Sequence, residues 1–323
     1  MAKTPSPQLD VIMYHFVRPI AGSRWPGIKG LEVTDFGTQL DYLEATYEIL
    51  RPGDAITAIR GTRPQSRPAC VLTFDDGYAD HYHHVFPELE ARGHKGIFFP
   101  PSCAALDRQM LDVNKIHFIL AGGADPAALG ALIDDAVRAH PGLAAPDMYR
   151  AEHHKDFGYD TADVIYVKRM LQHALPDDLR ATLTDDLFSA TISTDAHTFA
   201  DDLYCNAAQL REMHEAGHMI GSHGNNHVWL NRMSAADQRA DIFKSLRLFE
   251  AIGASSDGFT FCYPYGGYNN ETLACLEALC CTAAFTTSPH SVVPGIEGLL
   301  QIPRLDTNVF PPRAQAAPFA MTA

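Results

Sequence analysis

The feature that most constrains the fold is an alternation of short apolar runs with amphipathic helical patterns. Seven runs rich in aliphatic and aromatic residues recur along the chain. They occupy residues 10–17, 70–75, 96–99, 218–222, 258–263, 282–287 and 299–305. Such alternation is typical of βαβ units, and near-continuous hydrophobicity is typical of strands buried on both faces of a parallel sheet. The sequence therefore predicts an α/β fold built on seven parallel strands.

Glycines mark the ends of several helical patterns between these runs. Gly93 follows residues 85–92, and Gly217 follows residues 207–216. A third amphipathic run, 235–252, starts after Ser234 and stops at Gly253. Glycine is favoured just past a helix end because it adopts left-handed backbone angles without strain. Each of these helices is expected to end where its glycine stands.

One long segment, residues 104–201, carries no strand signal. It consists of polar and alanine-rich helical stretches such as 126–139 and 165–174. We expect a single domain spanning residues 1–323, with residues 104–201 as a helical insertion within it. Long insertions after barrel strands are tolerated and often shape the pocket. This one is expected to act as a lid or as a contact in a homo-oligomer.

Composition excludes several classes of partner. The 323 residues carry a net charge of −14 at neutral pH, which argues against binding nucleic acid or an anionic membrane. No apolar stretch has the length of a signal peptide or a membrane span. The seven cysteines form no C-x-x-C pair, which favours a reduced compartment. We therefore expect a cytoplasmic protein without a membrane span.

Two polar motifs follow predicted strands. In TFDDG, residues 73–77, Gly77 permits the turn that lets Asp75 and Asp76 take different roles. In HGNNH, His223 and His227 stand four residues apart, a spacing that lets two imidazoles bind one ion.

Each motif also has a simpler interpretation. The first is compatible with an Asx turn or a helix cap, and the second with a chance pair in a chain of sixteen histidines. However, both motifs follow strands of a parallel array, where barrel enzymes build their sites. Their combination favours an open metal site made of two histidines and one carboxylate.

Taken in order, TFDDG, then S-H-x-x-x-H, then Y-P-Y-G at residues 263–266 resemble the polysaccharide deacetylases of carbohydrate esterase family 4, the NodB-homology domain. The resemblance covers residues 70–103 and 201–305, together with the strand at 11–15. It implies a distorted (β/α)7 barrel. It also implies a metal-dependent hydrolase of non-peptide carbon–nitrogen bonds that removes an N-acetyl group from an amino sugar or saccharide.

The resemblance also implies roles for the motif residues. Asp76, His223 and His227 hold one divalent metal, zinc as first choice and cobalt, nickel or iron as alternatives. A water on the metal is the nucleophile, and Asp75 is the base that takes its proton.

The third motif is implied to line the site. The backbone N–H of Tyr265 is implied to donate to the oxyanion of the tetrahedral intermediate. Pro264 and Tyr265 are expected to contact the substrate. The alternative for this motif is an ordinary proline turn after a strand.

The chain departs from the family pattern at two positions. Cys262 stands where the family has an arginine that orients the catalytic aspartate, and Arg304 is expected to pair with Asp75 instead. The alternative for Arg304 is a surface ion pair. Arg304 also stands where the family has a histidine that protonates the leaving amine. His15 and His290 are the candidate replacements, although a lone histidine is more often simply packed or exposed.

Other histidines are expected to be solvated, namely those at 81, 83 and 84 and at 153–154. Without an export signal, the expected substrate is an intracellular N-acetylated sugar that is nucleotide-linked, lipid-linked or free. Two alternative functions are open: hydrolysis of a small non-sugar amide or cyclic imide, and saccharide binding without catalysis. The intact Asp75 argues against the second, since a binding protein needs no base.

Overall fold

The computed structural model describes residues 8–158, 160–192 and 195–313. Eight strands are present in this part of the chain, and each pairing between them is parallel. The strands are β1 Leu9–Tyr14, β2 Glu48–Ile49, β3 Ala69–Asp75, β4 Ile97–Phe99, β5 Met219–Ile220, β6 Thr260–Cys262, β7 Ala283–Phe285 and β8 Leu305–Asp306.

Strand pairing closes a ring. The order β5-β4-β3-β1-β8 forms one sheet, with β2 pairing at the start of β3, and β6 pairs β7 in a second sheet. Two parallel bridges join these sheets, Ser222 to Phe261 and Phe285 to Ile302. The chain from Ile302 into β8 therefore closes the ring against β1. This confirms the predicted α/β fold of the barrel type with seven strand positions.

Side-chain alternation explains why both faces of the strands are buried. Leu9 and Val11 of β1 pack in the same cluster as Val71, Phe99 and Phe285 from the other strands of the ring. The intervening residues of β1 and β3 pack outward against the helices, as Ile12, Tyr14, Cys70, Leu72 and Phe74 do. Successive side chains of a strand point to opposite faces. Asp75 continues the inner series of β3 and so points into the ring.

Helices connect the strands. Their bounds are α1 Val33–Thr46, α2 Pro52–Ile59, α3 Phe86–Arg92, α4 Ser102–Asp107, α5 Asp112–Ala121, α6 Pro126–Ala139, α7 Pro146–His153, α8 Ala162–Arg169, α9 Asp177–Thr191, α10 Ala196–Leu203, α11 Ala207–Glu215, α12 Ala235–Ser245, α13 Arg247–Ile252 and α14 Asn270–Ala278. One π-helical turn, His81–Val85, precedes α3. The glycines after three helical runs have positive φ, as predicted: 76° at Gly93, 96° at Gly217 and 75° at Gly253.

Some boundaries differ from the expected ones. The run 235–252 is two helices, α12 and α13, that meet at Leu246. The short strand β2 was not expected, because two residues are too few to give a periodic pattern. The last expected strand, 299–305, pairs at Ile302 and again from Leu305 onward, so its ladder is interrupted.

The chain divides into two compact units. The first contains the described residues among 8–18, 31–109 and 200–313, and it holds all the strands. The second contains 19–30 and 110–199 and is helical. Within the second unit, Trp25 packs on Phe118 and Phe199, with ring centroids 5.4 and 5.9 Å apart. The expectation of one domain with an insertion at 104–201 stays a prediction. None of the described helices is long and apolar enough to span a membrane.

Candidate active site

The two aspartates of TFDDG lie where β3 ends. Asp75 is the last residue of β3 and is 2% exposed, and Asp76 is 3% exposed. The backbone turns sharply here, with φ of 68° at Asp76 and 66° at Gly77. A Cβ on Gly77 would lie 2.5 Å from the Cβ of Pro100, so only glycine fits this turn. The turn directs the two neighbouring carboxylates to different partners.

The HGNNH segment follows β5 and brings two imidazoles to Asp76. His223 Nε2 lies 3.5 Å from Asp76 Oδ1, and His227 Nε2 lies 3.3 Å from the same oxygen. One ligand atom from each of the three residues lies within 4.8 Å of the others. His227 has a φ of 52°, so its ring is aimed by a left-handed backbone rather than by a regular helical turn.

The Asp76 carboxylate is suited to a cation. Its Oδ2 accepts a hydrogen bond from the Tyr78 hydroxyl at 2.6 Å. Its Oδ1 is buried and, within the described residues, has no hydrogen-bond partner. Burial by itself raises the pKa of Asp76, but His223 and His227 outweigh burial and hold the pKa well below its ordinary value. The three residues therefore fit a divalent metal, because a buried carboxylate oxygen and two imidazole nitrogens converge there.

The two imidazoles are supported differently. His223 Nδ1 donates to the backbone carbonyl of Cys262 at 2.8 Å, which leaves Nε2 to face Asp76. His227 Nδ1 is buried and has no hydrogen-bond partner in the described part of the chain. Burial lowers the pKa of His227, which keeps its ring neutral and able to act as a ligand. For His223, Cys262 and the Asp76 carboxylate outweigh burial and raise the pKa.

Arg304 pairs with Asp75 in a bidentate geometry. Its two terminal nitrogens donate to Asp75 Oδ1 and Oδ2 at 2.8 and 2.7 Å, and its Nε donates to the carbonyl of Thr286 at 2.8 Å. Arg304 is 1% exposed. Burial opposes ionisation of Asp75, but the guanidinium more than compensates and lowers the pKa of Asp75 to about 2. Cys262 Sγ lies 3.0 Å from Arg304, in the space beside this ion pair.

The two candidate proton donors are placed differently. His15 follows β1, and its Nε2 lies 3.9 Å from Asp75 Oδ2. Its side chain is 42% exposed, so it borders both the site and solvent. His290 is 56% exposed and lies 3.6 Å from Glu297. The described contacts of His290 are with Ser288 and Glu297 rather than with residues of the site.

The expectation that His81 is solvated was wrong. Its side chain is fully buried in the π-helical turn, and its Nε2 lies 2.8 Å from the backbone carbonyl of His15. Burial lowers its pKa to about 4. His81 lies in the chain that follows TFDDG, where its neutral imidazole can donate to the backbone carbonyl of His15, just after β1. The sequence does not distinguish His81 from the histidines near it, because its burial depends on packing against β1, which is distant in the chain.

The third motif forms an aromatic wall beside the histidines. Tyr265 has a φ of 57°, and its ring packs against His227 with centroids 4.6 Å apart. Trp229 also stacks on the Tyr265 ring, with centroids 4.7 Å apart and an interplanar angle of 2°. Pro264, the residue before Tyr265, is buried. Trp229 was missed in the sequence, although it stands two residues after His227 in the same loop.

Asp241 of α12 is another residue that the sequence did not indicate. It is 5% exposed, and its carboxylate accepts the backbone N–H groups of Asn225 and Asn226 at 2.9 and 3.0 Å. Burial raises its pKa, against the opposing effect of these two donors. No local pattern distinguishes this aspartate from the solvated ones nearby, since its partners lie in a distant loop.

Comparisons with known proteins find similar sequences and similar folds. Residues 181–284 match the sequence profile of the family described as polysaccharide deacetylase. A protein of Bacillus subtilis (strain 168), YxkH, is 29% identical over 99 residues, and its name provisionally assigns it to polysaccharide deacetylases. The match covers 30% of this chain and 33% of YxkH, so the chain aligns with about a third of that protein.

Solved structures extend the likeness to nearly the whole chain. The Streptococcus pyogenes deacetylase PplD, solved with acetate, has a TM-score of 0.56 at 16% identity, covering 98% of this chain and 100% of that one. IcaB from Ammonifex degensii has a TM-score of 0.55 at 18% identity, covering 97% of each chain. The BpsB deacetylase domain from Bordetella bronchiseptica has a TM-score of 0.54 at 16% identity, covering 94% of this chain and 98% of that one.

Fold and site together define a parallel α/β barrel with buried acidic and imidazole groups at the strand ends. The resemblance to polysaccharide deacetylases is confirmed over residues 181–284, which match the family profile.

Proposed function

We propose that this protein is a metal-dependent deacetylase that hydrolyses an N-acetyl group on an amino sugar or saccharide. One observation carries the proposal. The buried Asp76 oxygen converges with His223 and His227, while the neighbouring Asp75 is held separately by Arg304. This arrangement separates a ligand carboxylate from a base carboxylate, which suits metal-assisted amide hydrolysis with a carboxylate as the general base.

Asp76, His223 and His227 are the residues that would hold the divalent metal, with zinc as the first choice. When bound, a divalent metal supplies Lewis acidity, which acidifies water and polarises a carbonyl group. Tyr78 donates to Asp76 Oδ2 and leaves Oδ1 directed at the two histidines. The Cys262 carbonyl fixes the orientation of His223.

Asp75 is the proposed base that takes a proton from the attacking water. Its pKa of about 2 keeps it ionised at neutral pH. Arg304 holds the carboxylate at two points and limits its rotation, so that its orientation is set before substrate binds. Arg304 thereby takes the positioning role that Cys262 cannot perform.

The remaining steps need a donor for the oxyanion and a proton for the amine. The backbone N–H of Tyr265 is proposed as the oxyanion donor, and its ring with Pro264 as a substrate contact. His15 is the proposed general acid, because it lies 3.9 Å from Asp75 and borders solvent. His290 is the second candidate for this role.

The test is acetate release by the metal-loaded protein from a panel of nucleotide-linked, free and oligomeric N-acetylated sugars. Wild type is expected to release acetate from at least one member, and Asp75→Asn is expected to keep the metal while turnover falls about 10²- to 10⁴-fold. Near-wild-type turnover of Asp75→Asn would place the base elsewhere. A panel with no release would favour a non-sugar amide or cyclic imide as substrate, or saccharide binding without hydrolysis.

The panel also tests where the substrate resides. A preference for nucleotide-linked or free sugars fits the prediction of a cytoplasmic protein, and a preference for polymeric saccharide contradicts it.

Metal analysis of His223→Ala and His227→Ala tests the metal site. Undiminished metal content in both variants would exclude the three-residue site. A homo-oligomer stays a prediction, for which the molar mass in solution is the measurement.

A further inference from the structure

We infer that Asp241 is a positioning residue for metal binding, and that it acts by fixing the backbone that aims His227. The inference rests on the metal site proposed above. It starts from a difference between the two histidines. A ligating histidine ordinarily donates its second ring nitrogen to an acceptor, and His223 does so to the Cys262 carbonyl. His227 makes no such hydrogen bond with the described residues.

The orientation of His227 must therefore come from its backbone and its ring contacts. Its φ of 52° is a conformation that costs about 1 kcal/mol or more for a residue with a Cβ. Such a conformation persists only where the surrounding chain holds it. The segment that precedes it, Gly224 to Asn226, is where that restraint is found.

Asp241 supplies most of the restraint from the side of α12. Both oxygens are used, Oδ2 by the N–H of Asn225 and Oδ1 by the N–H of Asn226. Gly224 lies directly against the same carboxylate, since a Cβ at this position would be 2.8 Å from Asp241 Oδ2. The carboxylate thus contacts three consecutive residues between the two histidines.

Helix α4 restrains the other side of this segment. The backbone N–H groups of Ser102 and Cys103 donate to the carbonyls of Gly224 and Asn225, both at 3.1 Å. The Ser102 hydroxyl and Arg247 both donate to Asn225 Oδ1, at 2.7 and 3.0 Å. Helix α4 thus binds the carbonyls of Gly224 and Asn225, and Asp241 binds the N–H groups of Asn225 and Asn226.

The experiment compares Asp241→Asn with Asp237→Asn, a matched change one turn earlier on α12. The carboxamide introduced at position 241 can accept only through its oxygen, so one N–H of the loop loses its acceptor. The dissociation constant for Zn²⁺, measured by competition with a chromogenic chelator, is expected to rise about 10- to 100-fold in Asp241→Asn. Asp237→Asn, whose side chain is exposed and bonded to Ser234, is expected to bind as wild type does.

A second measurement separates positioning from loss of folding. The urea midpoint of each variant is determined with and without Zn²⁺, because a ligand of the native state stabilises it by an amount that rises with the logarithm of its affinity, even in a weakened protein. A smaller zinc-dependent shift in Asp241→Asn than in wild type supports the inference. An equal shift, or an unchanged dissociation constant, overturns it.

A double-mutant cycle tests the route through His227. If Asp241 acts by aiming this ring, Asp241→Asn should change the zinc affinity of a His227→Ala background by less than about threefold. If Asp241→Asn weakens zinc binding as much in that background as in wild type, Asp241 does not act through His227. Failure of wild type itself to bind Zn²⁺, Co²⁺ or Ni²⁺ would instead exclude the metal site of the proposed function, and so the two failures are distinguishable.

Discussion

At the scale of single residues, the site depends on pairing charges in a buried place. Asp75 and Arg304 are both nearly inaccessible, and each satisfies the other at two points. Removing one member of a buried ion pair leaves the other charge without compensation, which is costlier than removing both. The sequence predicted that Arg304 pairs with Asp75, and the structure contains this contact. The burial of the pair follows from the closed ring and is not visible in the sequence.

Arg304→Met is expected to lower the free energy of unfolding by about 3 to 5 kcal/mol at pH 7. The double variant Asp75→Asn/Arg304→Met is expected to be more stable than Arg304→Met, because the unpaired carboxylate is gone. Urea unfolding of metal-free proteins measures both effects. A double variant that is less stable than the single one would contradict a dominant role for the ion pair.

This ion pair also predicts a pH dependence. The pKa of Asp75 is about 2 in the folded protein and close to 4 in an unfolded chain. The unfolded state therefore binds more protons between these values, and the stabilisation, fully present above about pH 4, is lost as the pH falls towards about 2. In Arg304→Met this acid-induced loss should disappear, which urea titrations at successive pH values would measure.

At the scale of elements, the strand ends make their turns through residues in the left-handed region. Asp76, His227 and Tyr265 have positive φ, as do Gly77 and Gly266, which follow two of them directly, and Gly224, which lies in the same loop as His227. Each pair lies immediately after a strand of the ring or in the loop that follows it. Conformational strain of this kind is maintained only where neighbouring elements hold the chain. The motifs therefore specify a backbone conformation as well as a set of side chains.

Gly77→Ala is expected to destabilise the protein by about 1 to 3 kcal/mol more than Gly93→Ala. Both positions have positive φ, so both variants carry the same backbone strain. Only at Gly77 would the added Cβ also collide with Pro100, whereas nothing lies within 4 Å at Gly93. Equal losses in the free energy of unfolding would show that the turn can shift away from Pro100.

At the scale of the whole molecule, buried neutral histidines couple folding to pH. Burial lowers the pKa of His81 and of His218 to about 4, and His218 joins β4 to α3 by accepting the N–H of Gly96 and contacting Glu90. In an unfolded chain histidine titrates near pH 6.5. The unfolded state thus binds more protons from about pH 6.5 down to about 4, and these groups destabilise the fold as the pH falls through that range.

Each histidine should contribute up to about 1.4 kcal/mol per pH unit to this slope. Asp80 has the opposite effect on the change of stability with pH. Burial raises its pKa to about 6, so the folded state binds the extra proton as the pH falls. The measurement is therefore the difference between wild type and His81→Gln or His218→Gln. Each variant should lose less stability than wild type between pH 6.5 and pH 5. An unchanged slope would mean that these imidazoles titrate normally in the folded protein.

The sequence by itself determined the alternation of strands and helices, the glycine stops and the two motifs that place aspartates and histidines at strand ends. These features are encoded locally, in a period of two or 3.6 residues and in turn chemistry. Only the tertiary structure decided which distant residues meet. Closure of the ring buries the Arg304–Asp75 pair that the sequence had suggested, burial makes His81 neutral beside His15, and the packing of α12 brings Asp241 to the histidine loop. Such contacts join segments that are far apart in the chain, and no local pattern specifies them.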